Sequence, residues 1–395
     1  MSQILRSRML RDGILFLALT LIAIFLLTEP QEAIDACKSG LQLCANVIIP
    51  SLFPFFVLSG LIVNLGMVRY LDRLLEPVMQ PLFGLSGACS AALALGMIGG
   101  YPIGARTALS LYESHQISRQ EAERLLAFCN NCGPAFLFGV VGAGIFSSGS
   151  IGLFLYLIHI LASILIGFLL RIIKKPEHAA SLHLRRVHAP SMRFPAAFTT
   201  AIKDGLTSTL NICAFIVCFT VLIRFTFQSG AMELAAQILT RILSPFGVAK
   251  SGAEALLIGM IEMSSGVWGL KEAAMSVSSK VVMAAFILGW AGLCVHCQVL
   301  SFTGESTLSV RPYLLGKFLH GILSAGLVWL VYQFVPLRQS AQSCYIHQVG
   351  SICATDFYAA LRASTVTASI VWATVCLICL TYMKKSGRNP GRNRV

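Results

Sequence analysis

Charge is scarce in this chain. Only 12% of its 395 residues are Asp, Glu, Lys or Arg, against 56% hydrophobic residues and a mean hydropathy of +0.76. A soluble domain carries about 25% charged residues. Half that density argues against water, and for a lipid bilayer, as the main solvent. Catalytic and nucleotide signatures are also missing: no GxxxxGK[ST], GxSxG or HExxH occurs. These absences remove the P-loop ATPases, the nucleophile-elbow hydrolases and the zincins. The chain is therefore not expected to be an enzyme. No cofactor is called for, and an ATP-driven pump would need a partner subunit.

Acidic residues are scarcer than basic ones, 17 against 30, for a net charge of +13. Such a balance could point to nucleic acid, but its distribution points to a membrane instead. The basic residues gather at Arg6, Arg8 and Arg11, then between Arg171 and Arg193, then between Lys384 and Arg394. Each cluster abuts an apolar run, the pattern of cytoplasmic flanks. The apolar runs are Gly13–Thr28, Val47–Val63, Ile151–Leu170, Leu206–Ile223, Val281–Thr303, Phe318–Val335 and Ser364–Met383. Several approach the ~20 residues that a spanning helix needs. No small-x-small cleavage site follows the first, so it is read as an uncleaved helix.

If all three basic clusters are cytoplasmic, an even number of crossings separates each from the next. Residues 47–66 return the chain inside, and Met67–Gln80, carrying Arg69 and Arg73, fits an interfacial helix. Between there and Arg171 lie Ala88–Leu111, Leu125–Phe146 and Ile151–Leu170. Three full crossings would violate the charge rule; making the first a re-entrant hairpin satisfies it. Gly99-Gly100-Tyr101-Pro102-Ile103-Gly104 sits at its middle, where a helix breaks. Broken backbone at membrane depth is tolerated only where protein or a wet cavity receives it.

The same words recur 163 residues later: Phe83-Gly84 as Phe246-Gly247, and Gly96-Met97-Ile98 as Gly259-Met260-Ile261. The register lays Gly99–Gly104 over Glu262–Gly266 and Asn130–Pro134 over Leu293–Cys297. A constant offset with matched breaks indicates a repeat, and three crossings per unit would invert the second copy. The expectation is an all-α integral membrane protein, with about eight transmembrane helices and two re-entrant hairpins built as two inverted repeats. Residues 1–42 form the first helix and an outer loop, and 43–174 the first repeat. A basic cytoplasmic loop covers 175–205, the second repeat 206–335, and an outer loop, last helix and basic tail 336–395. Both termini are then cytoplasmic. Inverted repeats with discontinuous helices are a recurring plan of secondary transporters.

The candidate solute site is drawn from the breaks. At the first hairpin tip Gly100, Tyr101, Pro102 and Gly104 permit close backbone approach, and Arg106 follows. A helix N-terminus plus a guanidinium suits an anion, although Arg106 could instead pair with Glu262. Asn130 and Asn131, beside Gly133, must find partners in an apolar helix; they either line a cavity or glue helices together. Glu262, Ser264 and Ser265 occupy the second tip, and Glu262 could bind a cation, carry a proton or neutralise Arg106. His296 and Gln298 lie in the matching broken helix; a lone His there is more often structural.

Cysteine pairs with CxxC spacing (Cys129/Cys132, Cys294/Cys297 and Cys376/Cys379) all fall in apolar segments, where Cys acts as a small hydrophobe rather than a metal ligand. Cys344/Cys353 and Cys37/Cys44, in the two expected outer loops, are open to disulfide formation.

Four separated motifs carry a resemblance: Gly100–Arg106, the helix Ile117–Leu126, Asn130–Pro134, and Val295–Phe302 followed by Arg311–Gly316. Together they resemble the sporulation integral membrane protein YlbJ family, of the nucleoside-recognition Gate group, over about residues 45–335. Cys132 and Cys297 depart from that pattern by small-for-small exchange. The resemblance implies a multi-pass protein of the plasma membrane, or of the forespore or mother-cell membrane, of a spore former. It also implies a transporter of a small anionic aromatic such as dipicolinate. Gate domains also occur in concentrative nucleoside transporters, so a nucleoside coupled to Na⁺ or H⁺ is the alternative cargo. A non-transporting scaffold or sensor of spore formation is the alternative of another class. A homo-oligomer is compatible with each, and nucleic acid is not an expected partner.

Overall fold

The structure, a computed structural model, describes residues 2–334 apart from 68, 69, 71–74, 76, 135, 174–191 and 305. Every regular element among the described residues is helical. Helix α1 (Ser2–Thr28) holds an apolar span, Met9–Thr28, of which only 6% is buried. Met9, Leu10, Phe16 and Leu27 stand exposed along it. Such a surface is stable only when lipid covers it.

Helix α2 (Pro30–Leu43) runs through a wide turn at Cys44–Ile48 into α3 (Ile49–Asn64). The expected outer loop up to residue 42 is thus largely helix. Pro30 at the first helical position favours that start, and the buried stripe Ala33, Ala36 and Gly40 packs toward α8 (Phe194–Gln228). Cys37 on this helix and Cys44 at the start of the wide turn are free thiols, so no disulfide joins them. Half of the expected interfacial helix at 67–80, the loop at 174–191, Cys344/Cys353, Cys376/Cys379 and the Ser364–Met383 helix lie outside the described residues.

The first hairpin consists of α4 (Ser90–Gly99) and α5 (Ile103–Glu113). Next come α6 (Arg119–Cys129), an irregular stretch, and a wide i→i+5 helix at Phe136–Ile145. The start of α6 is set by a capping box between Ser118 and Glu121. Helix α7 (Gly149–Ile173) closes the first half. In the second half α8 leads to α9 (Ala231–Leu243) and then to a hairpin of α10 (Lys250–Ile261) and α11 (Met263–Gly269). A broken helix follows, α12 (Val277–Trp290) and α13 (Gly292–Thr303), and then α14 (Arg311–Phe334). At 35 residues α8 is about 52 Å long, well beyond a bilayer core of ~30 Å, so it tilts or projects.

Among the described residues five helices are long and apolar enough to cross a membrane, or six if the α2–α3 pair, bent by 52°, is one span. The sequence reading counts eight. The difference lies in 125–146, split between α6 and the wide helix, and in 364–383, beyond the described residues.

Small residues bring the helices to backbone contact. A Cβ added at Gly289 of α12 would lie 2.7 Å from Gly321 Cα of α14. One added at Gly316 of α14 would lie 2.7 Å from the Ala127 Cβ of α6. Elsewhere, α3 meets α8 through Gly60 on Ala201 and Gly205 on Val57.

Candidate functional site

Two hairpin tips and two helix breaks converge on one cleft. At the first tip Gly100 has φ +80°, a conformation open to glycine. Its hydrogen side faces Gly133, whose N would be 2.7 Å from an added Cβ. The tip therefore rests on the first broken helix. The second half repeats the arrangement. Ala291 and Gly292 have φ +77° and +79° at the α12–α13 break, and a Cβ on Gly292 would sit 3.0 Å from Met263 N of the second hairpin. The break falls at 291–292, two residues before the position given by the 163-residue register.

The cleft and the open solvent before it together hold about 470 Å³ of unfilled space, of which about 40 Å³ is room for the centre of a water-sized sphere. Its walls come from Gly100 and Tyr101, from Cys132, Gly133 and Phe136, from Glu262, Met263 and Ser264, and from Cys294, Val295 and Gln298. Ile48 and Leu52, with Ile212 and Ile216 of α8, complete it. A mostly apolar wall with a few convergent polar groups is the usual form of a small-molecule site.

Glu262 is the charged group on this wall, 2% exposed. It caps α11: its Oε1 accepts from Ser264 N at 2.8 Å and its Oε2 from Ser265 N at 2.7 Å. The helix N-terminus thus compensates the carboxylate. Arg106 does not pair with it. The Arg106 side chain is exposed, and its Nη1 donates to Ser208 Oγ at 3.0 Å. Ser208 stands one turn along α8, about 6 Å, from Ile212 of the wall, and Arg106 itself is not on the wall.

Of the other residues expected here, Gly100, Tyr101, Gly133, Ser264 and Gln298 are on the wall, and Ser265 contributes its N–H to Glu262. Pro102 caps α5. Gly104 packs on the Cys129 carbonyl carbon, 2.9 Å from an added Cβ. Asn130 and Asn131 are buried behind the wall; the Asn131 amide donates to Phe128 O and to Ser163 Oγ, the helix-gluing role. His296 turns away, its Nδ1 3.0 Å from Tyr313 Oη and its ring on Trp290.

Residues 45–149 match the Gate family, described as nucleoside recognition. The sporulation integral membrane protein YlbJ of Bacillus subtilis (strain 168) is 31% identical over 361 residues, 87% of this chain and 86% of that protein. The chain belongs to the YlbJ family. Among solved structures, CNTnw is similar in fold. A doubly substituted form in an outward-facing state has a TM-score of 0.53 at 16% identity, over 84% of this chain and 86% of that one. The inward-facing substrate-bound state has a TM-score of 0.50 at 15% identity, over 82% and 85%. A YlbJ-family chain thus has an all-helical, transporter-like membrane fold.

Around the candidate site of this YlbJ-family chain stand three residues that motif reading passed over, Lys317, His159 and His320. Tyr101 donates to Leu288 O of α12 at 2.7 Å and receives Lys317 Nζ of α14 at 3.0 Å. His159 Nε2 accepts from Cys132 N at 3.0 Å, which satisfies a backbone group freed by the break. Its carbonyl lies 2.9 Å from His320 Nε2. The available signal was a Lys and a His three residues apart inside an apolar helix, where ionisable groups are rare.

Proposed function

We propose that this protein is a secondary transporter that moves a small solute by alternating access, with an anionic aromatic such as dipicolinate as cargo in a sporulating cell. The observation that carries the transport reading is the convergence of two hairpin tips and two helix breaks on one cleft. Discontinuous helices that meet around a solute are how transporters expose polar backbone at membrane depth. The order of helix, hairpin, broken helix and helix in both halves supports an inverted repeat. For the cargo, the exposed guanidinium of Arg106, held by Ser208 one turn of α8 from the cleft wall, supports capture of a carboxylate, and Tyr101 and Phe136 offer aromatic faces inside. The family name supports the sporulation setting. The protein then lies in the plasma, forespore or mother-cell membrane with both termini cytoplasmic.

A second cargo has its own observation. Glu262 and Gln298 face the cleft, and a carboxylate with an amide suits the hydroxyls and base edges of a nucleoside better than a dianion. That reading carries Na⁺ or H⁺ as coupling ion.

Uptake of labelled dipicolinate into proteoliposomes, with excess nucleosides as competitors, separates these readings. Saturable uptake indifferent to nucleosides and reduced by Arg106→Ala is expected. Uptake displaced by nucleosides would move the cargo to the second reading. No flux of either, from folded protein, would favour a scaffold or sensor.

A further inference from the structure

Lys317 lies within α14 with none of its surface exposed. Its Nζ donates to the Asn130 carbonyl and to the Tyr101 hydroxyl, each at 3.0 Å, and lies 3.2 Å from His320 Nδ1. The ammonium also stands 4.8 Å from the centre of the Tyr101 ring. Among the described residues no carboxylate is within ion-pair reach of it. A buried charge without a counter-ion is among the least favourable arrangements in a protein, so its neighbours must compensate it by other means.

Those neighbours are informative. Asn130 is the residue at which α6 ends, so its carbonyl belongs to the negative pole of a half-helix. Tyr101 is the tip of the first hairpin. The ammonium is thus held by a carbonyl oxygen at a helix break, a hydroxyl, an imidazole nitrogen and an aromatic face. Unwound carbonyls and half-helix C-termini are the groups with which transporters of this general plan hold a small coupling cation.

We propose that the Lys317 ammonium is a tethered counterpart of such a cation. Fixed to α14, it locks the first hairpin tip to the first broken helix, and it makes both the assembly of that junction and the flux through the cleft independent of Na⁺. The flux half rests on the transport reading; the assembly half does not.

The test is therefore run first without a solute. Thermal unfolding of the purified protein is compared in NaCl and in choline chloride, for wild type and for Lys317→Ala. Wild type is expected to melt at one temperature in both. Lys317→Ala is expected to melt lower in choline and to recover more than half of the loss when Na⁺ or methylammonium can enter the vacated space. Lys317→Met, which fills that space without charge, is expected to stay unrescued. A saturable stabilisation of wild type by Na⁺ would overturn the proposal, as would a Lys317→Ala protein indifferent to every cation. If Lys317→Ala cannot be recovered folded, the wild-type comparison still decides. Because these readings need no cargo, an absence of flux would count against the transport reading alone.

Discussion

Two chemically identical changes, Gly289→Ala and Gly326→Ala, should move stability in opposite directions. Gly289 lies where α12 crosses α14. Its added methyl would stand 2.7 Å from the Gly321 Cα and N and 2.8 Å from the His320 carbonyl carbon. All three are backbone atoms, and ordinary contact begins at 3.4 Å, so the helices must part by about 0.7 Å. Overpacking of this kind costs about 1–3 kcal/mol. Gly326, further along α14, has nothing within 4 Å of the same methyl. Both changes gain the helix preference of Ala over Gly, about 1 kcal/mol, and that gain cancels in the comparison. The pair should then differ by the overpacking alone, about five- to 150-fold in folding equilibrium. Gly321→Ala belongs between them, because its methyl would meet Phe286 O at 3.0 Å and the more yielding Phe286 ring at 3.2 Å. The fraction of detergent-solubilised protein that stays monodisperse after graded heating gives the ranking. If Gly289→Ala survives heating as well as Gly326→Ala, the close α12–α14 crossing is wrong.

Glu262→Gln leaves one acceptor oxygen where two N–H groups now bind, and should cost about 1–3 kcal/mol of stability together with most of the uptake; unchanged uptake would remove Glu262 from the site. Tyr101→Phe deprives Leu288 O and Lys317 of a shared hydroxyl, so heating should inactivate it earlier by an equivalent of about 1–3 kcal/mol; a wild-type melting curve would contradict this. Glu121, outside the apolar spans, is pushed up by burial, but hydrogen bonds from Ser118 and Ser86 outweigh that and hold its carboxyl below the usual range. A depressed folded value stabilises fully above the unfolded pKa of about 4.3 and is lost as pH falls through the lower folded one. Melting temperature should therefore drop on acidification below about pH 4.3, less so in Glu121→Gln, and parallel curves would refute the assignment.

The breaks were legible because their residues have few other uses. Gly100, Pro102 and Gly133 in apolar runs either interrupt a helix or admit a neighbour, and here they do both. Distant partners were not. Arg106 is one turn past the hairpin tip, and sequence does not say whether that turn faces the cleft or α8. His296 and Asn131 carry the residue types of a binding site, yet the His296 Nδ1 is engaged by Tyr313 and the Asn131 amide nitrogen by Phe128 O and Ser163. Lys317 was hidden for the opposite reason: it belongs to no motif, and its meaning arises from Asn130 and Tyr101, which are 187 and 216 residues away in sequence. Helix α2 was read as a loop because its Ser, Gly and Lys residues gave no apolar run, although α8 supplies the surface its small residues need.

The glycine contacts divide the molecule along an unexpected line. Helix α14 is clasped to α6, from the first half, through Gly316 and Ala127, and to α12, from the second, through Gly321 and Gly289. Helices α3 and α8, again one from each half, are clasped through Gly60 and Gly205. Rocking one half of the chain bodily against the other would tear both clasps. The cleft has Leu52, Ile212 and Ile216 of the second clasp on one side, and it has the broken helices of the first clasp on the other. In the alternating-access reading proposed above, the moving seam would therefore run through each half of the sequence, with the cleft on that seam.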